Sequence, residues 1–329
     1  MKMSAQRYWL GRLLIRAHKF KREGFTLLEL LVTLLIGSII ITGLLYLVLE
    51  MLQIERRETA VDNTQRDIQR ALDYMASDLR EAVYIYDDPL NIAGDTDVFE
   101  LTNITDLPGN VNTTVLAFWR PDPVEDSEIP DCTTFADGSD DEEECEVLNV
   151  RKSSYTLVVY QLLENDGSGA TSWDGKARIV RYELPKYQTV STLTQTPGYR
   201  EPLDVEASIS FANWTPDGTT AGNSAVLVDF VASPTEPVND ASILACPVGM
   251  QRSPNPATVA ATNWTSFFAC VRDPDVAGAA TNQDVEVFLR GDFEPQDGGG
   301  SIQAISESSG LPTLRAGVLI RGVIGKDPD

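Results

Sequence analysis

Lys21-Arg22-Glu23-Gly24-Phe25-Thr26-Leu27-Leu28-Glu29-Leu30 decides the reading of this chain: a basic leader ends in glycine and runs directly into a long apolar segment. Between Phe25 and Leu49 the only charge is Glu29. About 20 apolar residues cross a bilayer as a helix, so 25–49 reads as a membrane-spanning half-helix. A charge at the centre of such a helix costs on the order of 3 kcal/mol and is a functional-site signal by default. Glu29 lies near one end, so snorkelling to the interface is the competing reading. The apolar core is too long for a secretory signal, whose core runs to roughly 7–15 residues, and it leaves through Leu49-Glu50-Met51 with no Ala-x-Ala. Seven Lys or Arg against one acid, Glu23, make the leader basic. The positive-inside rule keeps it cytoplasmic and sends everything after Leu49 across the membrane.

Working outward, no proline interrupts the pattern until Pro89. Val61, Ile68, Leu72, Met75, Leu79 and Ala82 recur on one helical face, and Glu55, Arg56, Glu58, Asp62, Arg66, Asp67, Arg70, Asp73 and Arg80 occupy the other. The spacing predicts one helix from about Phe25 to Tyr86, with 50–88 as its amphipathic half. From 89 to 329 the texture is β-rich, and strands are predicted at 114–119, 155–163, 178–184, 207–211, 225–231, 285–290 and 318–323. The runs 155–163 and 178–184 flank a Gly/Asn/Asp turn and predict a long hairpin. Two segments, 121–146 and 233–283, are too polar to build much core and are expected as surface excursions. An α+β fold follows, a long amino-terminal helix packed on antiparallel sheet.

The net charge of −23 becomes −29 without the leader, a balance that repels phosphate backbones and argues against direct nucleic acid binding. His18, the only histidine, also lies in the leader, which leaves no His for a hydrolytic relay or a zinc site. No P-loop, dinucleotide fingerprint or nucleophile elbow is present, so no enzyme activity is expected. Cys132, Cys145, Cys246 and Cys270 all follow the apolar segment. An even set outside the cytoplasm reads as disulfides, with three possible connectivities. Local pairing, Cys132 with Cys145 and Cys246 with Cys270, is expected because each pair flanks one polar segment. The run Asp137-Gly138-Ser139-Asp140-Asp141-Glu142 offers carboxylates around one glycine turn, and Asp137, Asp140, Asp141 and Glu142 are the expected ligands if it takes calcium. Its spacing is not that of an EF-hand, and acidic runs are more often simply solvated.

Gly-Phe-Thr-Leu-Leu-Glu after a basic leader resembles the prepilin signal of type IV pilins and type II secretion pseudopilins. The resemblance implies that prepilin peptidase cuts after Gly24 and methylates the new amino terminus, Phe25. It also implies that Glu29 pairs with the terminal amine of a neighbouring subunit during filament assembly. Expected partners are other minor and major pseudopilins or pilins and the inner-membrane assembly platform. The expected location is the inner membrane, with the carboxy-terminal domain in the periplasm or in a filament. Glu23 before the glycine and Tyr46, near where many major pilins carry proline, depart from the family. The size of the domain and the runs 156–162 and 178–184 are similar to J-type minor pseudopilins and W-type minor pilins, in which two sheets follow the helix. The run 285–291 and the acidic inserts are similar to cyanobacterial pseudopilins of polysaccharide secretion. The competing classes are a membrane-anchored module that binds a secreted polymer and an anchored hydrolase.

Overall fold

The computed structural model describes residues 25–89, 101–165, 173–203, 209–238, 244–256, 264–272, 283–294 and 311–320. The leader with Gly24, and parts of the predicted strands 207–211 and 318–323, lie outside them. The chain divides into two units, Met1–Arg56 and Arg57–Asp329.

Helix α1 runs Leu27–Glu81. Thr26 starts it: the Glu29 amide donates to the Thr26 hydroxyl at 3.3 Å and to its carbonyl at 3.0 Å, which satisfies a donor the first turn would leave bare. In the second unit its buried face is Thr64, Ile68, Ala71, Leu72, Met75, Ala76, Asp78 and Leu79, the 3.6-residue stripe of a helix on a core. The helix stops at Glu81, not at the predicted Tyr86. Val83-Tyr84-Ile85-Tyr86 is β-branched and aromatic, and tertiary pairing claims it. Strand β1 (Tyr84–Ile85) sets Tyr84 against Trp119 and Ile85 against Phe118.

Strands β2 (Thr114–Pro123), β3 (Ser153–Glu164), β4 (Ala177–Leu184) and β7 (Asn223–Val231) complete a five-stranded antiparallel sheet in the order β1-β2-β3-β4-β7. The predicted hairpin is β3–β4, with Leu157 opposite Leu184 and Glu164 opposite Ala177. A small ribbon, β5 (Tyr187–Thr189) with β6 (Thr194–Gln195), follows β4. Alternation sends Leu116, Phe118, Val158, Tyr160 and Leu162 into the core shared with α1, and Ala117, Trp119, Leu157 and Val159 into a second core. That core is closed by Tyr199, Phe211 and Trp214. Both faces are covered, so β2 and β3 read as nearly unbroken apolar runs.

The second sheet has the order β11-β10-β9-β8, from β8 (Met250–Ser253), β9 (Phe267–Arg272), β10 (Asp284–Leu289) and β11 (Leu314–Leu319). Here the structure corrects the reading of 233–283 as a coreless excursion. Phe267, Ala269 and Val271 enter the main core, and Phe268 and Cys270 form a satellite cluster with Phe288. The average Ala/Thr/Asn/Pro composition of the segment hides the apolar run Phe267-Phe268-Ala269-Cys270-Val271. The other excursion also needs correcting: Pro121–Pro123 extends β2, and Asp140–Arg151 is a helix, α2, capped by Ser139. Cys145 and Leu148 of α2 pack with Val124, Tyr187 and Leu193 in a small core of their own.

Polar side chains clip the two sheets together. Gln283, 2% exposed, accepts from the Ile85 amide at 3.1 Å and donates to the Ile85 carbonyl at 2.9 Å, completing the hydrogen bonds of β1. Ser253 donates to the Val115 carbonyl at 2.5 Å, beside a register shift in β2.

Candidate functional site: the amino-terminal segment and the charges beneath its helix

In the first unit Phe25 and the apolar side chains from Leu27 to Leu49 are exposed, Phe25 at 73%. Ser38 donates to the Leu35 carbonyl at 2.8 Å, Thr33 to Leu30 at 2.9 Å and Thr42 to Ser38 at 2.8 Å. Those hydroxyls are satisfied within the helix, as a lipid-facing segment requires. Gly37 and Gly43 have open space within 4 Å of where a Cβ would stand, leaving a flat strip on which another helix can approach closely. Among the described residues no group reaches the Glu29 carboxylate. What the segment can do chemically is present one carboxylate, one turn from Phe25, on an otherwise apolar surface. Among the described residues α1 is the helix long and apolar enough to cross a membrane, with an 18-residue window of mean hydropathy 2.5 and none of it buried.

In the second unit the helix rests on buried charge. Asp78, 6% exposed, takes a two-pronged bond from Arg181, with Nε at 2.8 Å and Nη2 at 3.2 Å. It also accepts from the Tyr160 hydroxyl at 2.7 Å, and Arg120 stands 3.5 Å away. Arg120 also faces Glu81 at 3.2 Å, Glu183 at 3.4 Å and Asp122 at 3.6 Å. Burial and the adjacent Asp78 carboxylate push the Tyr160 hydroxyl well above its usual range. Burial disfavours the Arg181 cation, but its bonds to Asp78 outweigh that and keep it charged. Asp78 escaped the sequence reading, although the signal was present: it falls three residues after Met75 and four before Ala82, on the apolar stripe. An acid there demands a cation from the sheet.

The cysteines form two bridges, Cys132–Cys145 and Cys246–Cys270. The first ties a short 3₁₀ turn to α2, and the second reaches the middle of β9. The four acids offered for calcium are placed differently from a cation loop. Asp140, Asp141 and Glu142 fall in the first turn of α2, where carboxylates complement the helix dipole. Glu142 accepts the Gly138 amide at 2.6 Å. Among the described residues no group of three or more His, Cys, Asp or Glu could hold a metal ion. Consecutive helix positions diverge, so the acids do not converge.

Residues 19–45 match the family model of the prokaryotic N-terminal methylation motif. The match supports a type IV pilin-like protein. It spans Gly24, Phe25, Glu29 and most of the apolar segment, and the exposed helix with the motif fits membrane anchoring. Such a motif implies processing by prepilin peptidase and assembly with other pilins. The α1 helix followed by antiparallel sheets is a pilin-like architecture. No curated protein and no solved structure matches the chain.

Proposed function

We propose that this chain is a minor pseudopilin or minor pilin, a structural subunit that helps initiate or cap a type II secretion-like or type IV pilus-like filament. The observation that carries the reading is the methylation motif over residues 19–45, joined to an apolar segment, 25–49, whose one charge is Glu29. A mere anchor needs neither glycine before Phe25 nor a carboxylate in lipid. In an assembled filament the amine of Phe25 on one subunit and Glu29 on the next would each remove the other's desolvation penalty. At about 4 Å and an effective dielectric near 20 the attraction is roughly 4 kcal/mol before that penalty. Two sheets after the helix agree with the J-type and W-type resemblance, and secretion of polysaccharide is the cargo that the cyanobacterial resemblance suggests. No catalytic role is proposed.

Mass spectrometry of the membrane-extracted protein tests the processing step: Phe25 should be the amino terminus and carry one methyl group. An intact Met1 in cells that possess a prepilin peptidase would refute it. Glu29→Ala should leave a folded, membrane-inserted protein that crosslinks poorly to other subunits. Undiminished crosslinking would reduce Glu29 to a snorkelling side chain.

A further inference from the structure

A half-buried lysine, Lys176, and a buried aspartate, Asp292, stand in contact between the two sheets of the second unit. Ala177 at the start of β4 is paired with Val231 of β7, and Val231 is bridged to Gly291 just beyond β10. Their chain neighbours, Lys176 and Asp292, are thereby brought together by three stretches of backbone. The Asp292 amide donates to the Phe230 carbonyl at 2.7 Å, and its Oδ1 accepts from the Glu294 amide at 2.8 Å. Its Oδ2 faces Lys176 Nζ at 2.5 Å, with the Asp292 side chain fully buried. The contact is a short ion pair that brings the amine against the carboxylate. A carboxyl carbon lies about 1.2 Å from its oxygen, so Nζ is within about 3.7 Å of Asp292 Cγ, close to attack distance. Glu236, whose side chain is 5% exposed, presents Oε2 to the same amine at 3.7 Å and Oε1 to Arg290 at 4.0 Å.

We propose that Lys176 and Asp292 join in an intramolecular isopeptide bond, formed by the protein itself with Glu236 as the proton carrier. A proton passes from Lys176 to the carboxylates, and the Nζ lone pair attacks Cγ. Glu236 takes a second proton from nitrogen and delivers it to the departing Asp292 oxygen. One C–N bond forms, one C–O bond breaks and one water leaves, with no oxidant or cofactor needed. Three carboxylates, Asp292, Glu236 and Glu294, surround the amine. Burial lowers the pKa of Lys176, but these neighbours outweigh it and raise the value; the free amine therefore arises by transfer inside the cluster and not to water. Burial of the Asp292 carboxylate favours the neutral amide, and fixed geometry replaces the activation that free acids and amines lack in water. The product would clasp the start of β4 to the end of β10 with a bond that reductants cannot open. The inference is independent of whether the chain assembles into filaments.

The test is mass spectrometry on the full-length protein extracted from membranes, reduced and denatured. The intact mass should be lower by one water than that of the processed chain, and digestion should give a branched peptide joining Lys176 to Asp292. A mass without that loss, with the Lys176 amine open to acetylation after denaturation, would overturn the proposal even if no variant folds. Lys176→Arg should abolish the branched peptide, and Glu236→Gln should cut its yield at least tenfold. Glu294→Gln should retain it. Full linkage in Glu236→Gln would refute the assigned proton carrier.

Discussion

Asp78 carries the largest single-residue consequence. Removing one partner of a buried ion pair typically costs about 3–5 kcal/mol, because the other charge stays buried and alone. Asp78→Ala should therefore lower stability by about that amount in urea unfolding, whereas Asp78→Leu with Arg181→Met should recover most of it. Unequal loss is the signature: if the single and double variants unfold together, the pair contributes little. Gly291 makes a second point at this scale. A Cβ there would meet Ile68 Cγ1 at 2.8 Å and Thr64 Cγ2 at 2.9 Å, so Gly291→Ala should cost about 1–3 kcal/mol by overpacking the helix against the chain after β10. Glu144 gives a pH dependence. Burial pushes its carboxyl up, but bonds from Lys186 and Tyr187 outweigh this and hold it below the usual 4.5. A depressed carboxylate stabilises the fold above its unfolded pKa and loses that contribution as pH falls through its folded one. The melting-temperature gap between wild type and Glu144→Gln should hence be present at neutral pH and close below the folded pKa of Glu144.

Among the elements, β1 shows most clearly how tertiary partners set a boundary. It is two residues long, bonded to β2 on one side and to the Gln283 amide on the other. Gln283→Ala should strand both polar groups of Ile85 and cost about 1–3 kcal/mol, read as a lower denaturant midpoint. Helix α2 is held differently, by the Cys132–Cys145 bridge and by Lys186, which lies 2.5 Å from Glu144 and 2.9 Å from Glu201. Each disulfide contributes around 3 kcal/mol in the chain-entropy model. Local reduction should loosen α2 while leaving the sheets intact, because the small core around Leu148 shares no member with the main one. Hydrogen exchange after Cys132→Ser with Cys145→Ser should accelerate at 140–151 and not in β2–β4.

At the scale of the whole molecule, charge is the dominant property. A net charge of −23, or −29 without the leader, opposes compaction through self-repulsion, which added salt screens. Calcium and magnesium at equal ionic strength should raise the unfolding temperature equally, because the acids at the start of α2 form no convergent site among the described residues; a larger shift with calcium would contradict that. The α+β class, the membrane-length helix, the prepilin-type motif, the β3–β4 hairpin and the local order of the cysteines were legible in the chain itself. Each is written in near neighbours: a 3.6-residue stripe, a period of two, or a motif of six adjacent residues. The end of α1, the strands β8 and β9 inside a polar-looking segment, and the Asp78–Arg181 pair were not. Lys176, Glu236 and Asp292 belong with them, since nothing in the order of residues marks positions 176, 236 and 292 as neighbours. Those features depend on which groups meet after long loops close. A strand of two residues, a buried acid or a lysine beside an aspartate is stable only when a partner far along the chain supplies the hydrogen bond or the opposite charge, and only the tertiary structure decides which partner that is.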